Sequence, residues 1–265
     1  MENLFEDVVY TKVDGIAKIS INRPEVMNAF RPRTIDEMRQ AFQDAWDDND
    51  IGVVVLGGRG PFCAGGDVKV RGEGGYEDQS GTSRLQVTHL HRLIREIPKP
   101  VIAMVDGYAI GGGMEVTMQC DVVIASEDAL FGLPEVKNAG SFPPSGVLRL
   151  PRQIPYKVSL WMLMSGEFMP AQYMHQIGYV NQVVKREELK STALKYAEIL
   201  CANPPIGVQT AKEVAIRSLD LPIDHPPTGW QYLWNGLTTK MSNSEDANES
   251  RQAWLEKRKP NYKNR

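Results

Sequence analysis

The chain has 265 residues, 42% hydrophobic and 24% charged, long enough to bury a sizeable core in one large domain or two small ones. Its 23 Gly and 17 Pro are near average use, which argues against collagen-like sequence and long disordered tracts. Lys and Arg (30) against Asp and Glu (33) leave a net charge of −3, so the chain is not built to coat nucleic acid or an anionic membrane, and any anion site is local.

In chain order, Val8–Val13 and Ile16–Ile21 flank Asp14-Gly15, a hairpin dipeptide. Residues 34–49 carry Ile35, Met38, Ala41, Phe42 and Ala45 at helical spacing. Residues 53–56 are a buried-strand run, 89–97 a helix stopped before Pro98, Val101–Val105 a second strand, 114–120 a short helix and 122–125 a third strand. Strand and helix alternate and the strands are almost wholly apolar, which predicts a parallel sheet wrapped by helices. The glycine-rich stretch 71–83 has the composition of a lid. From Arg186 onward the pattern is helical, with Pro205 just inside one start and a charged final helix over 245–257.

The acidic opening, residues 1–7, has no basic segment followed by an apolar run, so no signal peptide is expected. No apolar run reaches membrane-spanning length. Cys63, Cys120 and Cys201 make neither a disulfide framework nor a zinc pattern, and a reduced, cytoplasmic setting is expected. The four histidines form no ligand cluster, and no metal is expected. The dinucleotide GxGxxG, the phosphate loop, GxSxG and HExxH are all missing.

What remains is two glycine turns, each following an apolar strand: Phe62-Cys63-Ala64-Gly65-Gly66-Asp67 and Gly107-Tyr108-Ala109-Ile110-Gly111-Gly112-Gly113. Ligands gather at the carboxyl ends of parallel strands, and glycine lets the backbone approach them closely. The second turn opens into a helix, whose first N–H groups lack partners. Facing turns would give one carbonyl oxygen two backbone donors, an oxyanion hole worth on the order of 3 kcal/mol per donor. Glu115 and Glu135, with a strand between them, can converge on one cleft from two elements and divide acid and base roles. Taken singly, each turn is equally a tight bend, Glu115 a helix-start acid and Glu135 a surface acid.

Together with Ile21-Asn22-Arg23-Pro24, Met27-Asn28-Ala29, Lys99-Pro100-Val101-Ile102-Ala103, Cys120-Asp121, Phe131-Gly132-Leu133-Pro134-Glu135 and Ile177-Gly178-Tyr179-Val180-Asn181, these segments resemble the crotonase (enoyl-CoA hydratase/isomerase) superfamily along nearly the whole chain. The resemblance implies an α/β fold, a spiral of ββα units over residues 1–197 with a helical C-terminal trimerisation region over 198–265. It implies homotrimers or dimers of trimers, and an acyl-CoA substrate whose coenzyme A is carried with it, with no separate cofactor; the balanced charge speaks against a nucleic-acid partner. The thioester oxygen would accept from the N–H groups of Gly66 and Gly112. Glu115 would activate water for the β-carbon, and Glu135 would protonate the α-carbon. Adenine and phosphates would lie near Val26, Ala64, Gly65, Asp67, Val68 and Lys69, with Lys257-Arg258-Lys259 either a further phosphate contact or a solvated charge run. Tyr76, Phe142, Trp161 and Tyr232 are aromatic candidates for the acyl pocket, although ordinary core packing is the role favoured for each of them.

Two departures stand out. Asn28-Ala29-Phe30-Arg31, Lys69-Val70-Arg71-Gly72 and Met174-His175-Gln176 look like the naphthoate-synthase and cyclic ketoacyl-CoA hydrolase branch, which typically lacks both glutamates. A C–C hydrolase, an isomerase or a racemase is therefore the alternative to a hydratase. Phe142-Pro143-Pro144-Ser145-Gly146-Val147 carries one glycine where many members have a Gly-Gly pair, and Ser145 is placed to cap the next helix. A homologue without catalysis, or one that binds RNA, fits neither the balanced charge nor the retained acids.

Overall fold

The computed structural model describes residues 3–67, 69, 82–138, 144–219 and 229–264. Among them one sheet has seven strands in the order β1-β2-β3-β4-β5-β7-β10: β1 (Asn3–Leu4), β2 (Val8–Val13), β3 (Ile16–Ile21), β4 (Val53–Gly58), β5 (Val101–Val105), β7 (Val122–Ser126) and β10 (Gln182–Val184). The Asp14-Gly15 turn joins β2 and β3 in the expected register, Val13 opposite Ile16. Both turn residues have positive φ, 52° and 76°, as a two-residue hairpin matching the strand twist requires. From β3 onward the neighbours pair in parallel.

The apolar runs are explained by burial on both faces. In β4, Val54 and Leu56 join the large core under α1 (Pro32–Asp47) and α2 (Thr82–Glu96). Val53 and Val55 face the other way, onto Leu189, Ala193 and Ala197 of a later helix. The five apolar residues read as the inner stripe of α1 are all buried. Pro32 opens that helix, where its missing N–H costs nothing.

A smaller sheet, β6-β8-β9, comprises β6 (Tyr108–Ile110), β8 (Leu130–Gly132) and β9 (Met169–Pro170). The chain goes from β5 through β6 into α3 (Gly112–Thr117), and from β7 through β8 to a short 3-10 turn, Pro134–Asn138. The two acids therefore leave the small sheet from adjacent parallel strands, β6 and β8. There follow α4 (Pro144–Gln153), α5 (Tyr156–Ser165), α6 (Ala171–Gln176), α7 (Arg186–Cys201), α8 (Pro205–Ser218), α9 (Gly229–Ser242) and α10 (Glu245–Glu256). Pro205 starts α8 as expected. Helix α7 runs unbroken across the boundary drawn between residues 197 and 198. No helix among the described residues is long and apolar enough to cross a membrane. The expected lid, 71–83, lies outside the described residues except for the start of α2.

Candidate active site

The first glycine turn is laid between two backbone tracks. Phe30 donates its N–H to Gly65 O (2.7 Å) and accepts from Asp67 N (2.8 Å), while Cys63 exchanges bonds with Tyr108 O (2.8 Å) and Ile110 N (3.0 Å). In this parallel bridge Gly66 is the residue whose own N–H points away from Phe30. Gly66 is exposed, so that N–H is accessible to a ligand.

Polar side chains hold the turn in place. Arg23 Nη2 pairs with Asp67 Oδ2 at 3.1 Å and Arg23 Nη1 donates to Ala29 O at 2.6 Å. Asn28 accepts from Arg23 N and donates to Pro61 O. Arg23 and Asp67 are both nearly buried. The Asp67 carboxylate therefore fastens the turn, and it also accepts from Lys69 N at 3.2 Å.

The second turn is fixed by close packing. Gly111, at φ 54°, donates to Gly132 O at 2.8 Å and precedes α3. Gly112 is the first residue of that helix, where no preceding turn accepts its N–H. A Cβ on Gly65 would lie 2.9 Å from Ile110 O and 3.4 Å from Gly112 N, and one on Gly113 would lie 2.3 Å from Cys63 O. The two turns thus touch backbone to backbone, and only glycine permits it.

Glu115 is fully buried on α3. Its Oε1 accepts from Gly146 N at 2.6 Å, and its Oε2 has no partner. Burial pushes its pKa up to about 8; the Gly146 N–H works against that rise and the nearby Glu135 charge adds to it. Glu135 sits in the 3-10 turn with Oε1 3.0 Å from where a Cβ on Gly111 would be. Its Oε2 is likewise buried and without a partner, and burial raises its pKa. Two carboxyl groups from different elements thus flank the second turn, each with an unused oxygen. Carboxyl groups of that kind beside backbone donors are what acid/base chemistry on a carbonyl compound would use.

The remaining expected residues fall as follows. Val26 and Ala64 are half-buried and adjacent, because Ala64 N donates to Met27 O at 3.0 Å. Gly65 is buried within the turn and Lys69 is exposed beyond it, while Val68 lies outside the described residues. Arg258 is bound to Glu249 and Glu256 of the preceding helix α10, which leaves Lys257 and Lys259 as the open cations of that run. Trp161 is 56% exposed on α5. The side chains of Tyr76, Phe142 and Tyr232 lie outside the described residues. Ser145 is inside the first turn of α4, with its hydroxyl 2.9 Å from His91 Nδ1 in place of the expected cap. Sequence reasoning missed Gly146 as a donor to Glu115, because the two are 31 positions apart and no local spacing links them.

A sequence model of the enoyl-CoA hydratase/isomerase family matches residues 11–265. The chain is similar to the crystal structure of an enoyl-CoA hydratase from Bacillus anthracis at 29% identity, covering 98% of this chain and 100% of that one, with a TM-score of 0.91. It is similar to a probable enoyl-CoA hydratase/isomerase from Mycobacterium abscessus at 30% identity, covering 99% and 100%, with a TM-score of 0.86. It also resembles human enoyl Coenzyme A hydratase domain-containing protein 3 at 28% identity, covering 97% and 100%, with a TM-score of 0.87. A sheet of mostly parallel strands, two touching glycine turns with a carboxyl group on either side, and a family match over almost the whole chain lead to one conclusion: the chain belongs to the enoyl-CoA hydratase/isomerase family and has the crotonase fold.

Proposed function

We propose that the protein is a hydratase that adds water reversibly across the 2,3 double bond of an unsaturated acyl-CoA. The observation that carries this reading is the pair Glu115 and Glu135, each with a buried, unpartnered oxygen, beside the Gly66 and Gly112 amides. Hydration builds negative charge on the thioester oxygen as water reaches the β-carbon. Two N–H groups set in place beforehand stabilise that charge without reorganisation. The enolate then needs one proton at the α-carbon. The resemblance assigns water activation to Glu115 and protonation to Glu135.

Their environments suit a shared proton. Burial raises both carboxyls, and the Glu135 charge adds to the rise at Glu115, which suits a pair that passes one proton between its members. Deeper burial favours that proton on Glu115, while the Gly146 N–H favours the Glu115 carboxylate. That N–H is therefore what supports Glu115 as the base. Coenzyme A would lie along Val26, Ala64, Gly65 and Lys69. The exposed Trp234, Trp254 and Leu255 on the last two helices fit packing of three copies or a dimer of trimers, which solution mass measurement tests.

The test is loss of the enoyl-thioester absorbance across a panel of 2-enoyl-CoAs. Wild type consumes at least one of them, and Glu115→Gln and Glu135→Gln do not. Full turnover in either variant would end the two-acid mechanism. A cyclic 2-ketoacyl-CoA that opens while every enoyl-CoA stays intact would replace hydration with C–C hydrolysis.

A further inference from the structure

We infer that His91 is a positioning residue which, through Ser145, holds the first turn of α4 so that the Gly146 N–H stays on Glu115. This inference rests on the reading of Glu115 as the base.

His91 lies on α2 and is 5% exposed. Its Nδ1 is 2.9 Å from Ser145 Oγ, and its Nε2 is buried without a partner. An imidazole kept in an apolar core with one nitrogen unsatisfied is costly, and its hydrogen bond goes to the start of α4. Ser145 directly precedes Gly146. The planar peptide between them makes Gly146 N follow any movement of Ser145. Gly146 N is 2.6 Å from Glu115 Oε1. A Cβ on Gly146 would be 3.3 Å from that oxygen and 3.1 Å from Leu133 Cδ1, so the helix start sits about as close as glycine allows. The chain of contacts thus runs from α2 through α4 to the acid on α3.

Electrostatics separates this role from a direct one. Burial, with the Arg149 charge on α4 adding to it, lowers His91 to about 4. The ring is neutral at neutral pH, so removing it takes away no charge. The charged group that acts on Glu115 is Glu135, from the 3-10 turn. A change in Glu115 titration on replacing His91 must therefore come through the position of the Gly146 N–H.

The experiment follows the Glu115 carboxyl in the substrate-free protein by 13C NMR, with Glu115→Gln for assignment, alongside the pH profile of kcat/KM. His91→Leu is expected to raise the Glu115 midpoint by about one pH unit, the size of effect that losing a backbone N–H to a carboxylate produces. The acidic limb of kcat/KM should rise with it. Ser145→Ala, at a half-exposed position that keeps the fold, should give the same shift, and the double variant no more than either single one. His91→Asn, whose amide nitrogen reaches the Nδ1 position, should restore the wild-type midpoint. An unmoved midpoint in Ser145→Ala, or additive shifts in the double variant, would overturn the inference. The titration needs no substrate, so a wild type without hydratase turnover would sink the functional reading alone and leave this one to be decided by the midpoint.

Discussion

The two halves of the site are built on opposite terms. The amide half is held on every side: the first turn by Arg23, Asn28 and Asp67, the second by glycines with no room for a Cβ. The carboxyl half is left incomplete, with Oε2 of Glu115 and of Glu135 buried and unpartnered. A donor that must meet charge only as it develops gains from rigidity. Acids that must exchange a proton gain from an unfilled oxygen and a raised pKa. The difference teaches that fold stability should be concentrated in the amide half, and that the acids should work against it.

The largest effect should come from the carboxyl half. Glu115→Gln or Glu135→Gln keeps shape and removes the titrating group, and kcat should fall by about 10²–10⁴-fold while urea unfolding near neutral pH shows no loss of stability. A variant that lost activity together with stability would blur the contrast. In the amide half, Arg23→Met removes the guanidinium that pairs with the Asp67 carboxylate, which is only 7% exposed. The expected cost is about 3 kcal/mol in urea unfolding. Gly113→Ala forces a Cβ to within 2.3 Å of Cys63 O, and about 2 kcal/mol should be lost by the same measurement. An unchanged midpoint in both would show that the turns are not where stability is held.

The remaining effect concerns pH. Folded Glu115 keeps its proton up to about 8, whereas the unfolded chain releases it near 4.5. Between those values the native state binds more protons than the unfolded one, so this group lowers stability as pH rises, with no further loss above about 8. Glu115→Gln escapes the penalty. Its thermal midpoint should gain on the wild type steadily from about pH 5 and level off above about pH 8. A gap that stays constant with pH would mean that Glu115 is not held protonated by burial.

Much of this architecture was legible in the chain because its signals are local. Val53 to Leu56 read as a doubly buried strand and is one, and Asp14-Gly15 read as a hairpin turn and is one. Helix ends were less legible: α2 starts well before residue 89, because its first turns lack an apolar stripe to mark them. The two glycine turns and both acids were visible as motifs. What held them was not, because Arg23–Asp67, Gly146–Glu115 and His91–Ser145 are contacts between distant segments that only the folded chain brings together. Arg258 shows the converse. It read as one of three open cations, yet its guanidinium is taken by two glutamates of the helix it follows.

The central claim, that one thioester oxygen sits between two peptide donors with a carboxyl group on either side of the acyl chain, is tested most directly by a crystal structure with a bound 2-enoyl-CoA or a stable analogue. The account predicts that oxygen within about 3 Å of both Gly66 N and Gly112 N, with Glu115 and Glu135 facing the two carbons of the double bond. A thioester oxygen bound away from those amides, or an acyl chain that passes only one of the two acids, would contradict it.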